Sequence, residues 1–187
     1  MIQHARATVE DLLREPGKAE LVGGRIVRFM STGFWPTWIA LKILLSLNEY
    51  CKLHKHGMAL PDGLGFAVPT LSSGRESFSP DVSFYTGPVP QNKMRFIEGV
   101  PALAVEVRSE NDYGSDALRE MAEKRADYFE AGTLVVWDVD PIAECVHVYR
   151  RESPLTPDTY LKGQTAEAEP AVPKWTLSVD ELFKAVS

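Results

Sequence analysis

The sequence has 187 residues, 44% of them hydrophobic and 25% charged, which is typical of one globular domain that can bury a substantial core. Its formal net charge of −6 argues against a protein that binds nucleic acid through a generally basic surface. No apolar run reaches the roughly 18 residues of a transmembrane helix, and Met1–Glu15 is too polar for a secretory signal. We therefore expect a single cytoplasmic domain over residues 1–187, with no membrane association.

The N-terminal region is predicted to form a short helix followed by a β-hairpin. Thr8 is suited to cap the helix, because Asp11 three residues later completes a capping pattern ahead of two leucines. The apolar segments Glu20–Val22 and Arg25–Phe29 then flank Gly23-Gly24, and two short strands joined by Gly-Gly are typical of a tight hairpin.

A long helix and a group of short strands follow. Apolar residues recur at helical spacing through residues 35–54, with Pro36 near the first turn, which predicts an amphipathic helix that stops at Gly57. Residues 58–68 are predicted to form either a pair of strands or one bent strand. After a polar loop, residues 81–85 are predicted to form a further strand.

The second half of the chain predicts a β-α-β unit. Residues 102–107 form a nearly continuous apolar run, as expected for a strand buried on both faces. Residues 113–131 are predicted to be a helix ended by Gly132, and residues 134–139 a second buried strand. Residues 145–149 are predicted to add a third strand.

The C-terminal segment is predicted to be mostly irregular. Residues 151–174 are rich in Pro, Thr and Glu, which indicates a loop with short extended pieces, and Ser178 can cap a last helix. The order of the elements predicts an α/β or α+β fold with a mixed central sheet flanked by helices.

Two acidic residues, Glu106 and Asp81, are located in or next to predicted strands of the central sheet. Glu106 is the one acid inside its apolar strand, and a charge in that position is costly unless a metal or a cation compensates it. Asp81 opens another strand 25 positions earlier, enough for a loop and a neighbouring strand. Carboxylates from neighbouring strands can share a hard divalent cation such as Mg²⁺ or Mn²⁺, which can activate a water molecule and polarise a phosphate.

Two further residues can join this candidate site. Lys124 lies in the helix that directly follows the Glu106 strand, and a crossover helix packs back over its sheet. Its ammonium group can therefore stabilise developing charge or orient an attacking water. Glu20, in the first strand of the hairpin, is a third acid that can reach the metal or a metal-bound water.

Five segments in this order resemble the Uma-two (Uma2) family of the PD-(D/E)XK nuclease superfamily. They are Glu20 to Val27 (ELVGGRIV), Ser79 to Val82 (SPDV), Val105 to Ser109 (VEVRS), Lys124 to Gly132 (KRADYFEAG) and Val136 to Pro141 (VWDVDP). Pro-Asp and Glu-x-Ser are short motifs, and it is their common order and spacing that is specific. The resemblance covers most of the chain between residues 8 and 186.

The resemblance implies a restriction-endonuclease-like fold and a metal-dependent endonuclease that acts on nucleic acid, with DNA expected first. It implies that Asp81 and Glu106 bind Mg²⁺ or Mn²⁺, that Glu20 assists them, and that Lys124 replaces the lysine of the usual E-x-K motif. Position 108, where that lysine would stand, is Arg108, which stays charged and cannot act as a base. By analogy with small nucleases, a homodimer is expected.

Each of these residues also has a purely structural interpretation. Asp81 can cap a strand or turn after a proline, and Glu106 can pair with an arginine elsewhere in the chain. Lys124 can be a solvated helix residue paired with Glu120, four positions before it. Glu20 can face solvent on its strand.

Two other functions stay open on the sequence alone. One is a non-catalytic nuclease fold that binds nucleic acid or protein, and the other is a metal-dependent hydrolase of a different phosphate or carboxyl substrate. The charge distribution bears on this choice. Residues 1–136 contain 15 Lys and Arg against 17 Asp and Glu, whereas residues 137–187 contain 5 against 9. The part with the candidate site is therefore nearly neutral, which weakens the objection to nucleic-acid binding.

Overall fold

A computed structural model describes residues 6–185, so residues 1–5 and 186–187 of the predicted domain lie outside the described part. The helices of this part are α1 (Val9–Leu12), α2 (Phe34–His54), α3 (Ser115–Ala131) and α4 (Val179–Phe183). The strands are β1 (Ala19–Val22), β2 (Arg25–Arg28), β3 (Met58–Pro61), β4 (Phe66–Ala67), β5 (Ser77–Phe78), β6 (Val82–Tyr85), β7 (Ile97–Glu98), β8 (Leu103–Val107), β9 (Val135–Asp140), β10 (Cys145–Arg150), β11 (Ser153–Tyr160), β12 (Thr165–Glu167) and β13 (Thr176–Ser178). None of these helices is both long and apolar enough to span a bilayer.

The centre of the molecule is a mixed six-stranded sheet in the order β11-β10-β9-β8-β6-β3. Strands β8 and β9 are parallel and are joined by α3, so the predicted β-α-β unit is present. The other neighbouring strands of this sheet pair antiparallel. Smaller sheets, β1-β2, β12-β13 and β5-β4-β7, lie outside it. The predicted mixed sheet flanked by helices is therefore observed.

The two faces of the central sheet bury different sets of side chains. On one face, α2 and α4 pack against alternate residues of the central strands, including Leu103 and Val105 of β8. On the other face, Tyr128 and Phe129 of α3 pack against Ala104. Because side chains alternate along a strand, Glu106 lies on the same face as Ala104, beneath α3. The alternation thus directs the one acid of β8 toward the crossover helix.

The hairpin β1–β2 packs on the segment that precedes β6. The amide of Leu21 donates to Ser77 Oγ at 2.7 Å, and the amide of Glu76 donates to the carbonyl of Leu21 at 2.8 Å. The side chain of Leu21 is fully buried. These contacts hold β1 against the domain and direct Glu20 inward.

One sequence prediction is wrong in the C-terminal segment. Residues 151–174 were expected to be a loop with short extended pieces, but Ser153–Tyr160 forms β11, a regular eight-residue edge strand paired with β10. The alternating apolar pattern is absent because most of its side chains are exposed. Pro154 and Pro157 are tolerated because an edge strand leaves one row of its backbone groups unpaired.

Two boundaries in the first half also differ from expectation. The segment 58–68 forms two strands that do not pair with each other, because β3 joins the central sheet and β4 pairs with β5 and β7. Helix α2 ends at His54, the last residue of the predicted range, but the residue that ends it is Lys55, in a left-handed conformation with φ of 51°, and not Gly57. Both differences arise from tertiary contacts and local backbone geometry that periodicity does not report.

Candidate active site

The four predicted site residues meet beneath α3. Lys124 Nζ lies 3.0 Å from Glu20 Oε1 and 2.9 Å from Glu106 Oε1. Asp81 directly precedes β6, and the pairing of Val82 with Val105 places it opposite Glu106 on the same face of the sheet. Lys124 is therefore directed at interior acids, and is not a solvated helix residue paired with Glu120.

Glu20 is a buried acid with cations on both of its oxygens. Its side chain is 1% exposed, so the interpretation of Glu20 as a solvent-facing residue is wrong. Oε1 accepts from the amide of Ser79 at 2.9 Å as well as pairing with Lys124, and Oε2 pairs with Arg75. Burial raises the pKa of Glu20, but the two cations outweigh it and the pKa is lowered overall. Glu20 therefore stays ionised and holds Lys124 in place, while its role as a metal ligand stays a prediction.

Glu106 lies in an environment that disfavours its charged form. Burial raises its pKa, the charge of Asp81 raises it further, and Lys124 only partly offsets this. The Tyr128 hydroxyl donates to Glu106 Oε1 at 2.7 Å, the oxygen that also receives Lys124. Both bonds are to Oε1, which leaves Oε2 as the oxygen that a further cation can bind. A further positive charge near Glu106 would therefore stabilise its ionised form.

Lys124 is held in its protonated form. Burial lowers the pKa of its ammonium group, but the carboxylates of Glu106 and Glu20 outweigh burial and raise the pKa overall. The ammonium also lies over the ring of Phe29, 5.6 Å from the ring centroid. A lysine with a raised pKa cannot serve as a general base near neutral pH. Both roles expected for Lys124, stabilising developing charge and orienting an attacking water, are open to a protonated lysine.

Three residues that the sequence analysis did not select complete the cluster. Lys18 Nζ lies 2.7 Å from Asp81 Oδ1, Arg75 links Glu20 to Asp127, and Tyr128 bonds to Glu106. Lys18 precedes Glu20 by two positions, so it lies on the same side of the extended chain, and Tyr128 follows Lys124 by four positions on one helix face. These two spacings could have identified Lys18 and Tyr128 from the sequence. Arg75 lies in a loop, and no spacing in the sequence indicates its role.

An open cleft of about 410 Å³ reaches this cluster at Asp81. Its walls come mainly from the segment after β2, the first turns of α2 and the residues around Lys18. Its lining includes the side chains of Lys18, Phe29, Thr37, Asp62 and Asp81. Glu106 keeps 22% of its side chain exposed and Lys124 16%. A ligand in the cleft would therefore meet Asp81 first.

The donor set suits a divalent cation of the kind that the fold implies. Among residues 6–185, no three His, Cys, Asp or Glu side chains form a ready-made metal cluster. Asp81, directly before β6, nevertheless continues the pairing of Val82 with Val105 and so presents its carboxylate opposite Glu106 of β8. Mg²⁺ is commonly held by one or two carboxylates, with waters and substrate phosphates completing its shell. These two residues therefore fit Mg²⁺ or Mn²⁺, and Glu20 is not required for the fit.

Arg108 belongs to a separate ionic cluster on the same face. Its guanidinium group makes two bonds of 2.8 Å to Asp138 and one of 2.9 Å to Asp140. Asp138 lies on β9 directly beside Glu106 in the parallel register. Arg108 is thus occupied by these two acids, and Lys124 is the cation bonded to Glu106.

Comparisons with known proteins identify the family and the fold. The family model Uma2, described as "Putative restriction endonuclease", matches residues 7–180. A similar solved structure is the crystal structure of "a putative nuclease belonging to DUF820" from Anabaena variabilis ATCC 29413. It has a TM-score of 0.73 and 19% sequence identity, and the match covers 94% of this chain and 97% of that chain. No curated protein sequence matches the chain. At this identity the structural likeness confirms the fold alone.

Proposed function

Because the chain belongs to the Uma2 family, we propose that it is an endonuclease that hydrolyses phosphodiester bonds in DNA with the help of Mg²⁺ or Mn²⁺. One observation carries the proposal: the pairing of Val82 with Val105 brings Asp81 opposite Glu106, and Lys124 is bonded to Glu106 at 2.9 Å. Two facing carboxylates and a protonated lysine are a combination suited to phosphoryl transfer to water.

Each residue of the cluster has a distinct role in this proposal. Asp81 and Glu106 would hold the cation, which when bound polarises a phosphate and lowers the pKa of a water molecule. Lys124 would stabilise negative charge that develops on the phosphate, since its raised pKa keeps it protonated. Glu20 would hold Lys124 in position through its 3.0 Å bond. In this way it would support Asp81 and Glu106 indirectly.

The proposal is tested by incubating the protein with supercoiled plasmid in Mg²⁺, in Mn²⁺ and with a chelator. We expect nicked or linear plasmid with either metal and intact plasmid with the chelator. Parallel reactions on single-stranded DNA, RNA and simple phosphate or carboxyl esters identify the substrate class. Ester hydrolysis without plasmid cleavage would favour the hydrolase of another substrate, and binding of nucleic acid without any hydrolysis would favour the non-catalytic module.

Replacing Lys124 by methionine is expected to slow cleavage by about 100-fold, the usual effect of removing one group that stabilises transition-state charge. Mn²⁺ binding, measured by calorimetry, should persist because both carboxylates remain. Lys52→Met is the matched control, since Lys52 is an exposed residue paired with Glu49 on the last turn of α2. Cleavage by Lys124→Met at the rate of this control would remove Lys124 from the catalytic assignment.

We also propose a homodimer formed through α2. Its exposed face carries Phe34, Leu41 and Leu45, which are 68%, 38% and 53% exposed. Together with Trp38, stacked on Phe34 at 6.1 Å, they recur at spacings of four, three and four along one helix face. An exposed apolar stripe of this kind is typical of an interaction surface. A second copy suits it, because Thr37 and Ala40 of the same helix line the cleft and cutting a duplex needs two sites.

The mass of the protein in solution tests whether it is a dimer. Light scattering behind size-exclusion chromatography should give twice the chain mass of 20.8 kDa. The double variant Leu41→Lys, Leu45→Lys should elute as a monomer, because it places two charges in the stripe. Leu155→Lys is the control, since Leu155 is 92% exposed on the edge strand β11 and lies outside the stripe. A wild-type monomer at high micromolar concentration would contradict the proposal.

The proposed location is the cytoplasm. Cys51 and Cys145 are both free thiols. Disulfides are rare in the reducing cytoplasm, and their absence among the described cysteines accords with that compartment. Fractionation of cells that produce the protein at native levels would test the assignment.

A further inference from the structure

Lys18 is the one cation among the described residues that line the cleft. Its ammonium group lies 2.7 Å from Asp81 Oδ1 and 2.8 Å from Asp62 Oδ1. The backbone of Lys18 is fixed where the hairpin begins, because its carbonyl accepts from the amide of Phe29 at 3.0 Å. The side chain is 20% exposed, so it borders the cleft without being solvated freely. Lys18 is thus a tethered charge at the mouth of the candidate site.

The two oxygens of Asp81 are engaged in different ways. Oδ2 accepts from the amide of Val107 at 2.8 Å, a bond that fixes the carboxylate against β8. Oδ1 accepts from Lys18. An ammonium group and a divalent cation repel each other strongly at contact distance, so binding of one to Oδ1 disfavours binding of the other. Lys18 therefore occupies the position on Asp81 that a bound cation would use.

Asp62 offers Lys18 a second partner that does not depend on Asp81. Its side chain is 54% exposed, whereas that of Asp81 is 21% exposed. If Lys18 leaves Asp81, its bond to Asp62 keeps the ammonium group in the cleft. A nucleic-acid backbone that enters there meets the carboxylates of Asp62 and Asp81, and Lys18 is the group among these that can donate a hydrogen bond to a phosphate oxygen.

We propose that Lys18 exchanges partners during the reaction: it neutralises Asp81 in the metal-free protein and, once a divalent cation takes Asp81, binds a phosphate oxygen of the substrate. This inference rests on the proposed metal-dependent nuclease function. It assigns to Lys18 both a substrate contact and a competition with the metal. Lys124 differs from it, because Lys124 is enclosed between Glu20 and Glu106 and does not line the cleft.

The two parts of the proposal predict effects of opposite sign in one variant. Lys18→Met removes the competitor for Asp81, so the dissociation constant for Mn²⁺, measured by calorimetry without nucleic acid, should fall about tenfold. The same variant loses the phosphate contact, so its single-turnover cleavage at saturating Mn²⁺ should fall about 10- to 100-fold. Lys52→Met is again the control, because position 52 lies about 22 Å along α2 from Thr37 at 1.5 Å per residue. It should change neither quantity.

The outcomes separate this inference from the proposed function. If the wild type binds Mn²⁺ and cleaves DNA while Lys18→Met matches it in both, the inference fails and the function stands. Tighter binding with unchanged cleavage also overturns the exchange, since the phosphate contact is then missing. If neither protein binds Mn²⁺, both proposals fail. Should Lys18→Met unfold without metal, Mn²⁺ should restore the wild-type circular dichroism spectrum, and failure to restore it counts against the exchange.

Discussion

Glu106→Gln should lower metal-dependent plasmid cleavage by about three orders of magnitude or more, as expected for the loss of a central catalytic group. Glutamine keeps the size of the side chain but removes one of the two carboxylates, those of Asp81 and Glu106, that the pairing of β6 with β8 brings opposite each other. Mn²⁺ affinity should fall by more than the roughly 10- to 100-fold typical of residues that merely orient a metal ligand. Both losses have the same cause, a missing negative charge at the cation.

The thermal stability of Glu106→Gln shows whether the loss of cleavage arises from unfolding. In the folded protein the pKa of Glu106 is raised, first by burial and then by Asp81, so its ionised form destabilises the fold at neutral pH. A neutral glutamine removes that cost, and the thermal midpoint should not fall. Glu49→Gln is the matched control, because Glu49 is 74% exposed on α2. Full cleavage by a folded Glu106→Gln protein would exclude Glu106 from the mechanism and favour a buried ion pair with Lys124.

Arg108→Met is expected to reduce the free energy of unfolding by about 3–5 kcal/mol, the usual cost of stranding a buried charge. Asp138 is 1% exposed and Asp140 is 6% exposed, and Arg108 is bonded to both. Arg125 lies 3.5 Å from Asp138 and can compensate only one of them in part. Methionine replaces the apolar stem of arginine but none of its charge.

Urea denaturation followed by circular dichroism measures this effect. Arg119→Met provides the comparison, since Arg119 is 65% exposed on α3 and its pairs with Asp116 and Glu123 are at the surface. Such a change is usually worth less than about 0.5 kcal/mol. A loss below about 1 kcal/mol for Arg108→Met would show that Arg125 and solvent suffice to neutralise Asp138.

The sequence predicted those parts of the fold that local patterns encode. The Gly-Gly hairpin, the helix of the β-α-β unit and the buried strand around Glu106 each follow from periodicity or turn chemistry within about 20 residues. The acid in that strand was conspicuous because burial of a charge is costly. Asp81 and Lys124 then followed from their places at the start of a neighbouring strand and in the crossover helix, and the structure places both near Glu106.

The remaining contacts of the site depend on tertiary structure. The bond between Lys18 and Asp81 joins residues 63 positions apart, and that between Arg75 and Glu20 joins residues 55 positions apart. No local pattern selects those partners. The edge strand β11 was missed for a related reason, because its identity comes from pairing with β10 and not from an apolar alternation of its own.

The docking of the hairpin has a consequence for local unfolding. Strands β1 and β2 pair with each other, and the contacts of Leu21 and Glu20 are among those that attach them to the rest of the domain. Glu20 is held by the amide of Ser79, by Arg75 and by Lys124, and through Lys124 the site and the docking interface share a side-chain pair. Opening of the hairpin and dismantling of the site are therefore one equilibrium, which can occur while the six-stranded sheet stays folded.

Any ligand that binds only the assembled site must also stabilise the docked hairpin. Amide protons of β1 would then exchange more slowly with solvent when the site is occupied, whereas those of the distant strand β10 would be indifferent. Conversely, a mild denaturant concentration that releases the hairpin would abolish ligand binding at the site before the central sheet unfolds. The N-terminal hairpin thus contributes Glu20 to the candidate site, and its docking controls whether that site is assembled.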